Sequence, residues 1–546
     1  MREMPIGIQD FEKLRTGDYA YVDKTEYVYN LARTGTPFFL GRPRRFGKSL
    51  LVSTLRAYFE GKKELFEGLA MEKLEKDWIS YPVFHIDLNV MAYRNVDDLE
   101  AGLDANLRQF EKTWNPDGQP TRSASAVRFY DLIQTACEKS GQKVVVLIDE
   151  YDRPLTQTME RGKENDDIRS ALKGFYGVLK SSDRWLRFVL LTGVTKFSKV
   201  TVNSNRPEAG EFSSGAFQPF AHDANGDRRA SVFSDLNMLR DISMENAYSG
   251  ICGISAKELE DNFGAELEAL GACNGMTYDE TVAEMKRQYD GYRFSKQGEG
   301  IFNPFSVLNT LAKKEFAYYW FKTGTPTFLV EQIRQGSFDP LRFAEPEGVR
   351  IPAEAIDDYR VGNDNPIPLL YQSGYLTIAG YKNNRYILDF PNEEVRYGFL
   401  NELLPVYTYR LRGHEEFFAD YFIDDLRAGS VDGFMTRMRS FFANIPYELN
   451  DQTERHYQLV FTLLGQYARA EVHSARGRTD AAVETPEAVY VFEFKLNGTA
   501  EEALKQIDEK EYALPYEAGN RKVIKIGAEF DKDTRNISRW LVALDG

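Results

Sequence analysis

The sequence predicts an α/β protein. A parallel sheet is built around a phosphate-binding loop and carries a small helical lid, and a second α/β domain follows near the end of the chain. Three observations carry this. Phe38–Leu50, FFLGRPRRFGKSL, joins a short apolar strand through a glycine and arginine loop to Lys48-Ser49 and a helix. Lys143–Glu150, KVVVLIDE, is an apolar run ending in two acids, as suits a parallel strand covered on both faces. Further on, Asp480 is followed by Glu493-Phe494-Lys495.

Composition sets the bounds. A chain of 546 residues exceeds one hydrophobic core, so two to four domains are expected. Hydrophobic residues at 42% and aromatics at 13% suit ordered globular structure rather than disorder. Cys137, Cys252 and Cys273 lack paired spacing, which argues against a disulfide framework or a zinc site. MREMPIGIQDFEKL lacks an apolar signal core, and no apolar run approaches the ~18 residues of a membrane span. The expectation is a cytoplasmic protein without membrane contact. A net charge of −15 excludes a surface coated in basic residues for wrapping nucleic acid, but leaves room for a local basic cleft.

Taken in order, residues 1–35 read as a packing segment, with Asp23-Lys24-Thr25 ahead of a helix over 26–33. In the loop, five residues separate Gly41 from Gly47 where four are usual, and Arg42 stands where the first glycine belongs. The backbone from Gly41 through Arg44, Arg45, Phe46 and Gly47 to Leu50 is expected to receive phosphate oxygens, helped by the positive end of the helix. Lys48 would reach the β and γ phosphates of a bound nucleotide, and the Ser49 hydroxyl would hold Mg²⁺. Residues 81–88 read as a strand in which His85 packs, and helices follow over 97–114 and 125–139. Acids at the C-terminal end of a parallel strand lie where such sheets bind ligands. Asp149 would therefore hold Mg²⁺ through water, and Glu150 would polarise the attacking water.

Residues 187–195 form another buried strand, expected between the loop strand and the acid-bearing strand. Thr192 or Thr195 at its end either senses the γ-phosphate or caps the strand. Residues 201–230 are rich in Gly, Ser, Asn and Pro and read as a loop insertion in a core spanning 1–235. Residues 236–335 read as the lid, with helices over 255–270 and 278–289 and a third ending near Phe321. Arg240 and Arg293 read as surface or packing arginines ahead of phosphate sensors. Residues 336–445 form a connector and helical middle region, with a hairpin from 369–378 and 385–388 and helices from 391 to about 442.

Residues 446–546 change pattern to helix, strands, helix, strand, with strands over 470–474, 477–483, 488–495 and 522–527 and helices over 454–467 and 500–514. Positions i and i+2 of a strand share a face, so Glu493 and Lys495 point together, and a hairpin can bring Asp480 beside them. Two carboxylates suit Mg²⁺ or Mn²⁺, with Glu454 as a further ligand. Lys495 would orient the attacking water, and Gln506 would contact that water or Lys495. From Asp451 onward the chain carries 13 basic and 17 acidic residues, so a nuclease would need a local basic groove. Arg469, Arg476, Arg478 and Lys505 are candidates for it.

These segments resemble a known family. PIGIQDFEKL, YVDKTEYV, RPRRFGKSL, VVVLIDEYDRPL, LLTGVTKFSKV, VFSDLNMLRDIS, YDGYRF and NPFSVLN, then GRTDAAV and YVFEFKL, are similar to the AAA-ATPase-like proteins of the Bacteroidetes type that carry a C-terminal PD-(D/E)XK nuclease domain. The resemblance implies a P-loop NTPase core of the additional-strand type, a helical lid and a restriction-endonuclease-like fold at the end. Arg in place of the first loop glycine is part of the family pattern; residues 201–230 depart from it. On this basis Lys48, Ser49, Asp149 and Glu150 match the nucleotide site, and Asp480, Glu493 and Lys495 the nuclease core. The expected function is ATP binding and hydrolysis coupled to metal-dependent cleavage of nucleic acid, DNA ahead of RNA, with oligomerisation left open. The alternative is an ATP-driven switch whose terminal domain binds nucleic acid or a protein without cutting.

Overall fold

The computed structural model describes residues 2–35, 37–116, 124–196, 239–321, 348–356, 365–408, 419–443, 481–485, 487–496, 498–517, 521–531, 533–534 and 536–544. Its centre is a five-stranded sheet of β1 (Phe38–Gly41), β2 (Val83–Asp87), β3 (Val144–Asp149), β4 (Leu186–Gly193) and β5 (Arg240–Asp241). The order is β2-β3-β4-β1-β5 and every neighbouring pair is parallel. β4 therefore lies between the loop strand β1 and the acid-bearing strand β3, as the sequence suggests. All six residues of β3 are buried, which explains its unbroken apolar run. The helices Lys48–Phe59, Val96–Trp114, Ser125–Ser140 and Gly162–Ser181 connect and cover the strands.

A helical unit follows. Its helices Ala256–Asn274 and Tyr278–Tyr289 each begin with a reciprocal capping box, Ser255 with Glu258 and Thr277 with Glu280. Asn303 caps the third helix, Pro304–Lys313. The short strands β6 (Ile254–Ser255) and β7 (Ile301–Phe302) pair across the base of the unit. Leu259, Phe263, Leu267, Met285, Phe302 and Val307 are among the residues of its own apolar core.

β8 (Val349–Pro352), β9 (Thr377–Lys382) and β10 (Arg385–Asp389) form an antiparallel sheet of order β8-β10-β9. A hairpin is present here, but its first arm is Thr377–Lys382 rather than the 369–378 the sequence suggests. Ile367–Ser373 is helical and ends at Gly374, whose φ of 91° stops the helix before β9 begins. The helix Glu393–Thr408 follows, and beyond it come Ala419–Arg427 and Val431–Ala443.

The last sheet contains β11 (Ala481–Glu484), β12 (Ala488–Lys495), β13 (Lys522–Asp531) and β14 (Asn536–Leu544) in that order. β12 and β13 are parallel; the outer pairs are antiparallel. One face packs on helix Ala500–Glu509 through Val489, Val491 and Ile507. On the other face, Phe434 of the Val431–Ala443 helix meets Phe492, with ring centroids 5.5 Å apart. A Cβ on Gly527 would overlap the Ala500 carbonyl, so glycine is what lets that helix lie close on β13. The helix expected over 500–514 stops at Glu509, and Glu511 turns left-handed at φ 53°. β14 is a strand the sequence reading did not anticipate. The Asp531 carboxylate sets the turn before it by accepting from the Asp533 and Thr534 amides, both at 2.8 Å.

Candidate functional sites for nucleotide and phosphodiester chemistry

β1 ends at Gly41 and the loop runs to Gly47, which caps the Lys48–Phe59 helix at φ 93°. Two loop groups are already engaged. The Gly41 amide donates to Ser243 Oγ at 2.7 Å, and the Arg42 amide to the Gly193 carbonyl at 3.1 Å. Gly41 thus does not present its amide to a phosphate, contrary to the sequence-based expectation. Arg42 is 1% exposed, and its guanidinium donates to the carbonyls of Gly41, Ser243 and Tyr248 at 2.9, 2.7 and 2.9 Å. It also lies 4.2 Å from the Phe294 ring centroid. Burial draws its pKa below the ordinary arginine value. Phe46 is buried against Tyr292 and Phe294, while Arg44 and Arg45 are exposed, Arg45 with φ 68° and its guanidinium over Phe305.

Lys48 is 3% exposed. Its ammonium donates to the carbonyls of Arg42 and Pro43 at 3.1 and 3.2 Å and lies 3.4 Å from Glu150 Oε1. Asp149, at the end of β3, accepts from Thr192 Oγ1 at 2.5 Å and from the Glu150 amide at 3.1 Å. Thr192 is fully buried and faces that carboxylate, so of the two roles weighed for it the geometry favours the structural one. Thr195 likewise donates to Asp152, at 2.6 Å. Glu150 adopts a left-handed backbone, φ 53°.

A cleft of about 410 Å³ opens over Lys48 and Glu150, while Asp149, Thr192 and Thr195 lie buried outside its lining. Arg44, Arg45, Gly47, Lys48, Ser49 and Leu50 line it from the loop, Glu150 and Arg153 from beyond β3, and Pro304, Phe305, Leu308 and Asn309 from the helical unit. An adjoining, largely apolar chamber of about 110 Å³ shares Leu14, Leu50, Pro304 and Leu308 with it and extends to Tyr21 and Cys252.

Sequence reasoning passed over Asp87 and Asn89. Asp87 pairs in register with Asp149, and burial, with Asp149 nearby, raises its pKa. The signal was available in Asp87's place at the C-terminal end of an apolar strand. Asn89 lines the cleft just beyond. Arg240 and Arg293 are both exposed; Arg240 pairs with Glu245 at 2.7 Å, and neither lines the cleft. Behind the loop, Trp320 Nε1 donates to the Arg44 carbonyl at 3.1 Å, and the Trp320 amide donates to Glu394 Oε1 at 2.7 Å. Glu394 Oε2 accepts from Ser306 Oγ of the Pro304–Lys313 helix at 2.6 Å.

In the last sheet, Glu493 is 2% exposed at the end of β12. Lys495 Nζ donates to Glu493 Oε1 at 3.2 Å and to Gln506 Oε1 at 2.5 Å, and Gln506 Nε2 donates back to Glu493 Oε1. The three side chains form a closed ring. Strand alternation aims Glu493 and Lys495 to one side, and the helix capped by Thr499 brings Gln506 over them. Asp480, Glu454, Arg469, Arg476 and Arg478 lie outside the described residues. Lys505 is exposed and bridges Glu509 at 3.3 Å on its own helix.

Residues 5–203 match the family model described as "Predicted AAA-ATPase", and residues 452–540 match that of the PD-(D/E)XK nuclease superfamily. A protein of Azotobacter chroococcum mcd 1, described as an uncharacterized protein in the vnfD 5′ region, is 35% identical over 566 residues, covering 99% of both chains. The chain belongs to the AAA-ATPase-like family with a C-terminal PD-(D/E)XK domain. For this AAA-ATPase-like protein, the five-stranded parallel sheet is the ATPase-type core, and the four-stranded sheet with the Glu493 ring lies in the PD-(D/E)XK domain. No helix among the described residues is long and apolar enough to cross a membrane.

Proposed function

We propose that this AAA-ATPase-like protein binds and hydrolyses ATP and couples that cycle to metal-dependent cleavage of phosphodiester bonds in nucleic acid. The observation that carries the cleavage half is the ring of Glu493, Lys495 and Gln506, a buried carboxylate held between an ammonium and an amide. A solvated Glu and Lys on a sheet surface would have no such enclosure.

The cleft fits a nucleoside triphosphate. Arg44, Arg45, Lys48 and Arg153 supply positive charge along it, and the apolar chamber beside it suits a base. Lys48 exchanges its loop carbonyls for phosphate oxygens, and Glu150, next to it, takes the proton of the attacking water. Ser49 and Asp149 are the residues that would hold Mg²⁺, and Thr192 fixes the Asp149 carboxylate. In the terminal domain Glu493, with Asp480 and Glu454, would hold Mg²⁺ or Mn²⁺. The ion supplies a polarised phosphate and a more acidic water. Lys495 orients that water, and Gln506 holds Lys495 in place.

The test is cleavage of plasmid DNA, single-stranded DNA and RNA with Mg²⁺ or Mn²⁺, with and without ATP. Cutting that vanishes in Lys495→Ala supports the nuclease, and its dependence on ATP supports the coupling. No cutting of any substrate by a protein that hydrolyses ATP would overturn the cleavage reading in favour of a non-cleaving switch.

A further inference from the structure

In a chain with 83 acidic residues, positions 365–388 contain none. This stretch ends in the β9–β10 hairpin, whose tip reads Tyr381-Lys382-Asn383-Asn384-Arg385-Tyr386. Asn383 and Asn384 make the turn with φ of 52° and 57°, the pair of left-handed residues a tight two-residue hairpin requires. Tyr381 to Arg385 are five consecutive exposed residues. Lys382 pairs directly with Arg385 across the ladder, and Tyr381 pairs with Tyr386. One face of the tip therefore presents two cations side by side, joined on the next rung by Arg350 of β8, which pairs with Ile387. The other face carries the two tyrosines, their rings 5.0 Å apart, with the Lys296 ammonium 3.7 Å from the Tyr381 centroid.

Like charges directly opposed in an antiparallel pair oppose folding. Neither Lys382 nor Arg385 has an ion pair among the described residues to offset this. Two acids close by in the same sheet serve other groups: Glu354 accepts from Asn384 at 3.5 Å, and Asp389 lies 3.9 Å from Arg396. An opposed cation pair at an exposed tip, flanked by amides and a Tyr381 ring that is 38% exposed, is complementary to a repeating polyanion with stackable bases. We propose that the β9–β10 hairpin is a docking surface for a nucleic-acid strand. Lys382 and Arg385 contact its phosphates, outside both the nucleotide cleft and the Glu493 ring. This rests on the reading that nucleic acid is the partner, but it requires binding rather than cleavage.

The experiment uses the full chain with divalent metal omitted, so that no cutting occurs. Fluorescence anisotropy with labelled single-stranded DNA, duplex DNA and RNA oligonucleotides of about 30 residues is measured from 50 to 300 mM salt. For Lys382→Gln/Arg385→Gln, the expected result is binding about tenfold weaker and a log–log salt slope shallower by about 1.4 on single strands, or about 1.8 on duplex. ATP hydrolysis by the same variant, which is expected to stay at the parent rate, shows that it is folded. The arm with the largest loss identifies the strand type. Unchanged affinity and slope in a folded variant, or no binding by the parent chain to any of the three, would overturn the proposal. Binding that depends on the hairpin in a protein that cuts none of them would leave it standing while the nuclease reading fails. If the double substitution fails to fold, Lys382→Gln alone, with half the slope change expected, decides the question.

Discussion

Arg42 occupies the place of a phosphate-loop glycine, yet its guanidinium ties the loop to the carbonyls of Ser243 and Tyr248. Restoring the common residue should therefore weaken the protein. Arg42→Gly leaves buried acceptors unsatisfied at about 1–3 kcal/mol each, so a denaturation midpoint corresponding to a loss of roughly 2–5 kcal/mol is expected. Thr192→Val keeps the shape and removes the hydroxyl that holds Asp149. The Mg²⁺ concentration giving half-maximal ATP hydrolysis should rise by about 10–100-fold, with nucleotide binding in the absence of the ion unchanged. Glu150→Gln should retain ATP binding while hydrolysis falls by about 10²–10⁴-fold, read by single-turnover kinetics. Lys48, Ser49, Asp149 and Glu150 could be singled out in the sequence because the proposed phosphate chemistry demands those residue types after a strand, in a loop–helix turn and at the end of a buried strand. Asp87 was passed over because an acid alternating with apolar residues resembles a solvated strand position; its place at the C-terminal end of the strand was the signal, and the register that sets it beside Asp149 gives that signal its meaning.

Among the elements, the helix Glu393–Thr408 is held at its first turn by Glu394, a fully buried carboxylate that joins Ser306 of the Pro304–Lys313 helix to the Trp320 amide. Burial raises its pKa from 4.5 to about 7. The folded protein thus holds the proton more tightly than the unfolded chain. The stability this provides is complete below about pH 4.5 and is lost as pH rises through about 7. Glu394→Gln mimics the protonated form. Its melting temperature should match the parent's near pH 5 and exceed it above pH 7.5, measured by thermal scans across that range. The sheet order around β4 was readable because fully apolar strands and acid-ended strands have fixed places in such a sheet. The Ile367–Ser373 helix was not, because a seven-residue segment with a short apolar run has no period long enough to separate helix from strand, and only Gly374 in its left-handed turn decides it. β14 was missed for the opposite reason: at the edge of its sheet, with Val542 exposed, it lacks the apolar continuity that marks β12.

Across the whole molecule, hydrogen bonds lead from the phosphate loop outward to the Glu393–Thr408 helix. The Arg44 carbonyl meets Trp320, and Trp320 meets Glu394 at the start of the Glu393–Thr408 helix. If this route carries the nucleotide state to the terminal domain, Trp320→Phe should keep ATP hydrolysis within about twofold of the parent. It should abolish the difference between nucleic-acid cleavage with and without ATP, in the assay described above. The left-handed backbone of Glu150 has a consequence of another kind. A residue with a Cβ held at φ 53° carries about 1–2 kcal/mol of strain that glycine would not. A library screened for heat tolerance alone would therefore enrich Glu150→Gly, and its hardiest survivors would be the ones that had lost the carboxylate proposed to activate water.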